Sequence, residues 1–274
     1  MITSTSNQKV KQIAQWQTKA KQRRQDDVFL AEGLKMYEEA PLELIREVYL
    51  TESLLKQLES RKTADDRTYD KAWHMEEKLK RTGYETVAEE VFRRMSDTQT
   101  PQGILTVLRR PVYETGQLLR GDKTLLLLLE DIQDPGNLGT MLRTGEGAGI
   151  TGVIMSSQTV DIYNPKTIRA TMGSIYRVPF LYVEDMGEAV RTLQKNSVRV
   201  YAAHLRGETY YSSLSFREGT AFLIGNEGKG LRRETAELAD SYLKIPMEGQ
   251  VESLNAAIAA SLLVYEAHRQ RHGQ

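Results

Sequence analysis

The sequence predicts an α/β protein: a parallel sheet flanked by helices, preceded by a smaller α/β unit. Three observations predict it. Residues 125–129 are five consecutive leucines, the pattern of a strand buried on both faces of a parallel sheet. Similar apolar runs recur at 152–155, 178–183, 198–203, 221–224 and 242–245, with helix-forming segments at 138–147, 165–174, 186–195 and 232–239 between most of them. That alternation is the mark of a parallel sheet covered by helices on both sides. Residues before about 110 repeat a shorter alternation of strand-like and helix-like segments, within the usual size of one domain.

In the first region, Ser6 or Asn7 can cap a helix running to about Arg24, polar and basic except for Val10, Ile13, Ala14 and Trp16. A β-prone run at 28–31 leads into Glu32-Gly33, and 34–40 is helical. Residues 45–50 form a second strand, 53–60 a helix and 84–87 a third strand. A short helix at 91–95 precedes the dense turn cluster 96–103, and 104–108 is a strand. The predicted organisation is a first domain over 1–110, a linker over 111–122 and a second domain over 123–274. There is no internal repeat and no low-complexity tract.

Composition narrows the function classes. Lys plus Arg and Asp plus Glu number 37 each, so no global positive charge announces nucleic acid. The charge is uneven, however: Lys9, Lys11, Lys19, Lys21, Arg23 and Arg24 occur with no acid among them, and Arg93-Arg94 and Arg109-Arg110 add local pairs. Such a stripe can attract phosphates or simply form a solvated helix face. The absence of cysteine excludes disulfides, thiolate zinc sites and a cysteine nucleophile. His74, His204, His268 and His272 lack metal-ligand spacing, so no metal is expected. The longest apolar run is far too short to span a bilayer, and the first residues lack a signal-peptide layout. A cytoplasmic protein without a membrane partner is the expectation.

Three stretches could carry chemistry. Asp131 to Thr144 follows the leucine strand, at the carboxyl end where open α/β sheets place ligands. There, Asn137 is a plausible helix N-cap, and Arg143 lies about a turn and a half further on. Leu223-Ile224-Gly225-Asn226-Glu227-Gly228-Lys229-Gly230-Leu231 puts three glycines after another strand, allowing close backbone approach. It is no Walker loop, since Gly230 rather than Ser or Thr follows Lys229. The only comparable glycine series, 145–149, falls at a helix end, where C-capping accounts for it. That placement argues against a dinucleotide fold and the usual Rossmann-like methyltransferase. The third stretch runs from Ile245-Pro246-Met247 through Gly249 to Ser253-Leu254-Asn255, and Ser253 and Asn255 open an alanine-rich helix as possible caps. If the strand ends adjoin, one pocket collects Asn137, Arg143, Glu227, Ser253 and Asn255. No glycosidase carboxylate pair, nucleophile elbow or His-activated serine is evident. From the residues alone this is a glycine-lined pocket with one cation, one carboxylate and small polar groups, too little to name a reaction.

Those residues resemble a known family. Asp134-Pro135-Gly136-Asn137-Leu138-Gly139 with Arg143, then Ile224-Gly225-Asn226-Glu227-Gly228-Lys229-Gly230, then Ile245-Pro246-Met247 with Ser253-Leu254-Asn255, look like the three ordered motifs of SpoU/TrmH-type RNA 2′-O-ribose methyltransferases, members of the SPOUT superfamily. The match covers residues 125–266. The N-terminal region is similar to the family's L30e-like substrate-binding domain through Phe29-Leu30-Ala31-Glu32-Gly33 and Gln99-Thr100-Pro101-Gln102-Gly103-Ile104-Leu105.

The resemblance implies a parallel sheet with a C-terminal trefoil knot, an exception to ordinary chain topology. It implies S-adenosyl-L-methionine bound near Ala203, Gly225, Ile245, Met247 and Leu254, with Gly225 leaving room for the ligand. It also implies a homodimer through the knot region, where Ile258, Leu262 and Val264 of the last helix could be buried by core or partner alike. The implied reaction is methyl transfer to a ribose 2′-hydroxyl in structured RNA, ribosomal RNA favoured over transfer RNA. Arg143 is the implied base or activator. A guanidinium normally stays charged, so an orienting cation that stabilises the developing oxyanion suits the position as well. Asn137, Glu227, Ser253 and Asn255 take the other motif positions, holding Arg143, the cofactor loop and the ribose. The alternatives are a non-catalytic RNA-binding or ribosome-assembly protein with a retained cofactor pocket, and a small-molecule α/β enzyme, which leaves the basic N-terminal helix unexplained.

Overall fold

The computed structural model describes residues 1–60, 68–205, 207–250 and 253–273. Two compact units result: Met1–Pro111 with Tyr163–Tyr176, and Val112–Ile162 with Arg177–Gln274. The sequence boundaries differ from this in two places. The expected linker contains a short helix whose Leu118 is fully buried, packed so closely on Gly152 that a Cβ there would lie 2.4 Å from Leu118 Cγ. Residues 163–176, expected within the second domain, belong to the first unit.

The first unit contains α1 (Gln8–Thr18), α2 (Ala20–Asp26), β1 (Val28–Glu32), α3 (Leu34–Glu39), β2 (Ile45–Thr51), α4 (Glu52–Ser60), α5 (Thr68–Thr82), β3 (Glu85–Val87), α6 (Glu89–Met95) and β4 (Ile104–Arg109). Its sheet has the order β1-β4-β2-β3. Strand alternation supplies two cores. Leu105, Val107 and Tyr49 meet Val10, Ile13 and Trp16 of α1 and Val91, Phe92 and Met95 of α6, while Ile104, Val48 and Leu50 meet Tyr37, Leu54, Leu58, Met75 and Leu79. Sequence periodicity missed α5 because Met75 and Leu79 are its buried anchors amid charged residues.

Asn7 caps α1 by accepting from Lys9 N–H at 2.9 Å. The single helix expected to Arg24 is broken at Lys19, which is extended. The break lets Arg23 turn back and donate to the carbonyls of Trp16 and Gln17, satisfying groups that a helix end leaves open. The 163–176 segment carries α9 (Pro165–Thr171). Within this unit the Tyr163 ring lies 4.9 Å from Phe29, Tyr176 Oη donates to Met36 O at 3.0 Å, and Arg169 pairs with Asp97 at 2.6 Å.

The second unit contains α7 (Thr115–Leu118), β5 (Leu125–Leu129), α8 (Pro135–Ala148), β6 (Gly152–Ser156), β7 (Phe180–Val183), α10 (Met186–Lys195), β8 (Arg199–Ala203), β9 (Thr209–Tyr210), β10 (Thr220–Ile224), α11 (Arg233–Ala236), β11 (Ser241–Lys244) and α12 (Ala256–His272). The sheet order is β7-β6-β5-β10-β8-β11-β9, and every pairing is parallel. All carboxyl ends therefore share one edge. Each β5 leucine is 0–1% exposed, as a strand covered on both faces requires. Leu126 and Leu128 pack towards Met186, Val190 and Leu193 of α10.

Helix α12 packs against α8, where Ser261 Oγ donates to Thr144 Oγ1 at 2.9 Å. Its far end is stapled down: Arg271 donates to the carbonyls of Phe216, Lys123, Thr124 and Glu218, and Gln270 accepts from Phe216 N–H and donates to Leu214 O. Because Thr124 precedes β5 and Glu218 precedes β10, that staple lies at the amino edge of the sheet. About 25 Å of helix then brings Asn255 to the carboxyl edge. No helix among the described residues is long and apolar enough to cross a membrane.

Candidate active site

Four adjacent strands, β5, β10, β8 and β11, end at this edge, and each expected site residue ends one of them or lies in a segment that follows one. The β5 segment turns at once, because Asp131 adopts a left-handed conformation with φ 57°. Its carbonyl then accepts from Asn226 Nδ2 at 2.7 Å. Asn226 Oδ1 accepts from Gly228 and Lys229 N–H, and the Asn226 backbone pairs with Gly230, folding 225–231 into a tight loop. A Cβ on Gly225 would lie 2.3 Å from Gly230 C and Leu231 N. The glycine is therefore required by the loop's own backbone, where sequence reasoning invoked room for a ligand.

A second correction concerns Asn137. The N-cap of α8 is Asp134, whose Oδ1 accepts from Asn137 N–H at 2.9 Å, with Pro135 beginning the helix, a position that tolerates its missing N–H. The Asn137 side chain is thereby released for other work. Its Nδ2 donates to Glu227 Oε1 at 2.9 Å, and its Oδ1 accepts from Asn255 Nδ2 at 3.0 Å. Asn255 in turn caps α12 through Oδ1, accepting from Ala257 and Ile258 N–H. Ser253, the other expected cap, makes no such bond. One polar chain, Glu227–Asn137–Asn255, thus joins the segments after β10, β5 and β11.

Glu227 also accepts from the backbone N–H groups of Gln133 and Asp134, at 3.1 Å each. Burial alone would push its carboxyl up, but the hydrogen bonds from Asn137, Gln133, Asp134 and its own N–H outweigh that and hold it below the ordinary 4.5. A carboxylate that already accepts these hydrogen bonds, and whose pKa is lowered rather than raised, is poorly suited to general-base work, since catalytic bases work best with a pKa near the operating pH. It is built to fix loops.

Arg143 and Ser253 differ from these three. Both are exposed, as Glu227 and Asn255 also are, but neither makes a hydrogen bond or ion pair among the described residues. Arg143 lies on α8 about 9 Å along the axis from Asn137. The structure therefore links three of the five expected polar residues and leaves two with open hydrogen-bonding capacity.

Sequence reasoning missed a second clasp. Buried Glu130 accepts from Arg232 N–H at 2.8 Å and Thr235 Oγ1 at 2.6 Å, and Asp131 pairs with the Arg232 guanidinium while accepting from Ser156 Oγ at 2.7 Å. Two consecutive acids at a buried strand end were the available signal.

Ala203, Gly225, Ile245, Met247 and Leu254 are all half-buried. Ala203 ends β8, the others follow β10 or β11 or precede α12, and none carries a charge. Neutral, mostly aliphatic positions beside exposed backbone suit a purine and ribose held by main-chain groups and apolar contact, so the residues present fit S-adenosylmethionine. Val251 and Glu252, between two of these positions, lie outside the described residues. Among the described residues no three His, Asp or Glu side chains converge as metal ligands.

Comparison with known proteins agrees with this geometry. Residues 124–265 match the SpoU rRNA Methylase family, and residues 7–106 match the MRM3-like substrate binding domain. The 23S rRNA (guanosine(2553)-2′-O)-methyltransferase RlmP of Bacillus subtilis (strain 168) is 33% identical over 264 residues, covering 96% of this chain and 97% of the relative. The 23S rRNA (guanosine-2′-O-)-methyltransferase RlmB of Xylella fastidiosa (strain 9a5c) is 39% identical over 151 residues, covering 55% of this chain and 61% of that one. The crystal structure of an AdoMet-bound rRNA methyltransferase from Sinorhizobium meliloti superimposes with a TM-score of 0.80 at 28% identity, over 98% of this chain and 97% of the other. The chain belongs to the SpoU rRNA methylase family and is an S-adenosylmethionine-dependent RNA 2′-O-ribose methyltransferase.

Proposed function

We propose that this enzyme methylates a ribose 2′-hydroxyl of large-subunit ribosomal RNA, with Arg143 as the activating cation and Asn137, Glu227 and Asn255 as the frame that positions the reacting groups. The observation that carries the division of labour is that Glu227, Asn137 and Asn255 are bonded in one chain while Arg143 has no partner among the described residues. The choice of RNA rests on the relative matched along nearly its whole length, named for 23S rRNA.

Bound S-adenosylmethionine supplies an electrophilic methyl whose sulfonium charge drives the transfer. Ala203, Gly225, Ile245, Met247 and Leu254 would hold it. The chain's own part is alignment and charge stabilisation. An unpaired guanidinium has five donors in a planar fork matched to a phosphate, so Arg143 grips the backbone at the target nucleotide and stabilises negative charge developing on the 2′-oxygen. Ser253, equally open among the described residues, would hydrogen-bond the ribose. Glu227 keeps the segment after β5 against the glycine loop.

Two further readings follow from the family and have support here. β10 sits between β5 and β8 although it is formed later in the chain, an order compatible with the family's trefoil knot. Ile258, Leu262 and Tyr265 are 50%, 38% and 48% exposed at i, i+4 and i+7 of α12, an apolar stripe suited to a homodimer contact; Val264, in contrast, is core. Work on ribosomal RNA would place the protein in the cytoplasm. The decisive experiment maps 2′-O-methyl groups in total RNA from cells with and without the protein. A single lost site in 23S rRNA is expected, and loss confined to transfer RNA would overturn the substrate assignment.

A further inference from the structure

Residues 1–25 hold six cations and no acid, and the fold uses only two of them. Lys9 pairs with Glu85, and Arg23 is buried against the end of α1. Lys11, Lys19, Lys21 and Arg24 are exposed and unpaired among the described residues, in a protein whose overall charge is balanced. On α1, Lys11, Gln15 and Thr18 form the stripe opposite buried Ile13, and that stripe leads to Lys19. On α2, Lys21 and Arg24 share a face. Gln17 Nε2 donates to Met95 O at 2.9 Å, which fastens the end of α1 to the end of α6 and brings exposed Arg93 and Arg94 beside it.

Local stability does not explain this arrangement. Lys19 is the N-cap of α2 and Lys21 lies in its first turn, with no acid there and no capping bond. The positive end of a helix dipole disfavours cations at both positions. The nearest acid is tied off: Asp26 accepts from Gln22 at 2.9 Å and Trp16 at 2.6 Å. Asp27 follows at the C-cap, and among the described residues its carboxylate forms no ion pair with these cations. A set of unpaired cations, two of them against the local field, is what a polyanion would repay.

The geometry points to a phosphate track on α1, α2 and the end of α6, one that grips the RNA backbone without reading bases. The identity of the polyanion rests on the proposed RNA substrate. The track serves affinity for a long RNA and takes no part in methyl transfer.

The test compares the full-length protein with a triple variant, Lys11→Gln, Lys19→Gln and Lys21→Gln, using protein-free 23S rRNA transcript as probe in filter binding across a salt series. Glutamine keeps good helix propensity, and a control variant, Lys56→Gln with Lys80→Gln, carries exposed lysines from α4 and α5. The slope of log affinity against log salt should fall by about 3, roughly one per lysine, with about tenfold weaker binding at moderate salt. KM for RNA should rise by the same factor while kcat at saturating RNA is unchanged. A Lys→Arg triple variant should bind like wild type, and the control should leave the slope unaltered. An unchanged slope and KM in the glutamine variant, with methyl transfer intact, would overturn the track and leave the functional reading standing. Failure of the wild-type protein to bind or methylate this RNA would overturn the substrate reading, and the track with it.

Discussion

At the carboxyl edge of the seven-stranded sheet, two kinds of polar residue stand in contrast. Asn137, Glu227 and Asn255 are spent on one another and on backbone N–H groups. Arg143 and Ser253 are spent on nothing among the described residues. A side chain whose hydrogen bonds are all made can hold a loop but has little left for a substrate. An exposed side chain with open capacity can engage one at low cost. Under the proposed assignment the motifs of this enzyme mix two jobs, framing and acting, and hydrogen-bond occupancy among the described residues is what separates them.

The sharpest way to break the contrast is at Arg143. Arg143→Ala should lower kcat by roughly 10²–10³, the usual loss on removing a group that stabilises developing charge. Single-turnover transfer of labelled methyl to 23S rRNA checks this, and a loss under fivefold would make Arg143 a bystander. Thermal stability should hardly move, because no hydrogen bond or ion pair among the described residues is lost.

Glu227→Ala comes next. Two backbone N–H groups and the Asn137 amide would lose their acceptor, at a cost of about 1–2 kcal/mol after allowance for solvent access. KM for S-adenosylmethionine should rise about tenfold as the loop loosens, with a smaller effect on kcat. Unaltered cofactor KM would show that the glycine loop is held elsewhere, through the Arg232 clasp.

Acid tests the same bond network. The folded-state pKa of Glu227 lies below its ordinary value, so its contribution to stability is complete above about pH 4.5 and is lost as pH falls through the lower folded value. Melting curves of wild type and Glu227→Gln should therefore converge in strongly acidic buffer and differ at neutral pH. A gap that widens on acidification would reverse the sign and contradict the assignment.

Asn255→Ala should cost about 1 kcal/mol as a lost N-cap and also free Asn137 on one side. Ser253→Ala, which removes no bond among the described residues, should change stability by less than about 0.5 kcal/mol, so any loss of transfer rate would report contact with the ribose. Chemical denaturation with a parallel activity assay distinguishes the two.

Much of this architecture was legible in the sequence. The five leucines marked β5 because a doubly covered strand has no polar face, and the order of strands and turns led to a single sheet edge. What escaped depended on contacts distant in sequence. Asn137 reads as a cap until Asp134 is found to take that role, and only then is its side chain free to bridge Glu227 and Asn255. Gly225 reads as ligand space until Gly230 and Leu231 fold back against it. Helix α5 was missed because Met75 and Leu79, although one helical turn apart, are too few apolar anchors to stand out in a charged segment. Residues 163–176 continue the α/β alternation, yet they fold with the first unit because Tyr163 and Tyr176 pack around Phe29, a pairing no local pattern reveals.

The division between framing and acting residues is tested most directly by calorimetric titration of S-adenosylmethionine into Arg143→Ala and Glu227→Ala beside wild type. Arg143→Ala should bind the cofactor within about twofold of wild type while failing to transfer methyl, and Glu227→Ala should bind it about tenfold more weakly. Equal loss of cofactor affinity and of transfer in Arg143→Ala would contradict the account, because it would make the unpaired arginine part of the frame.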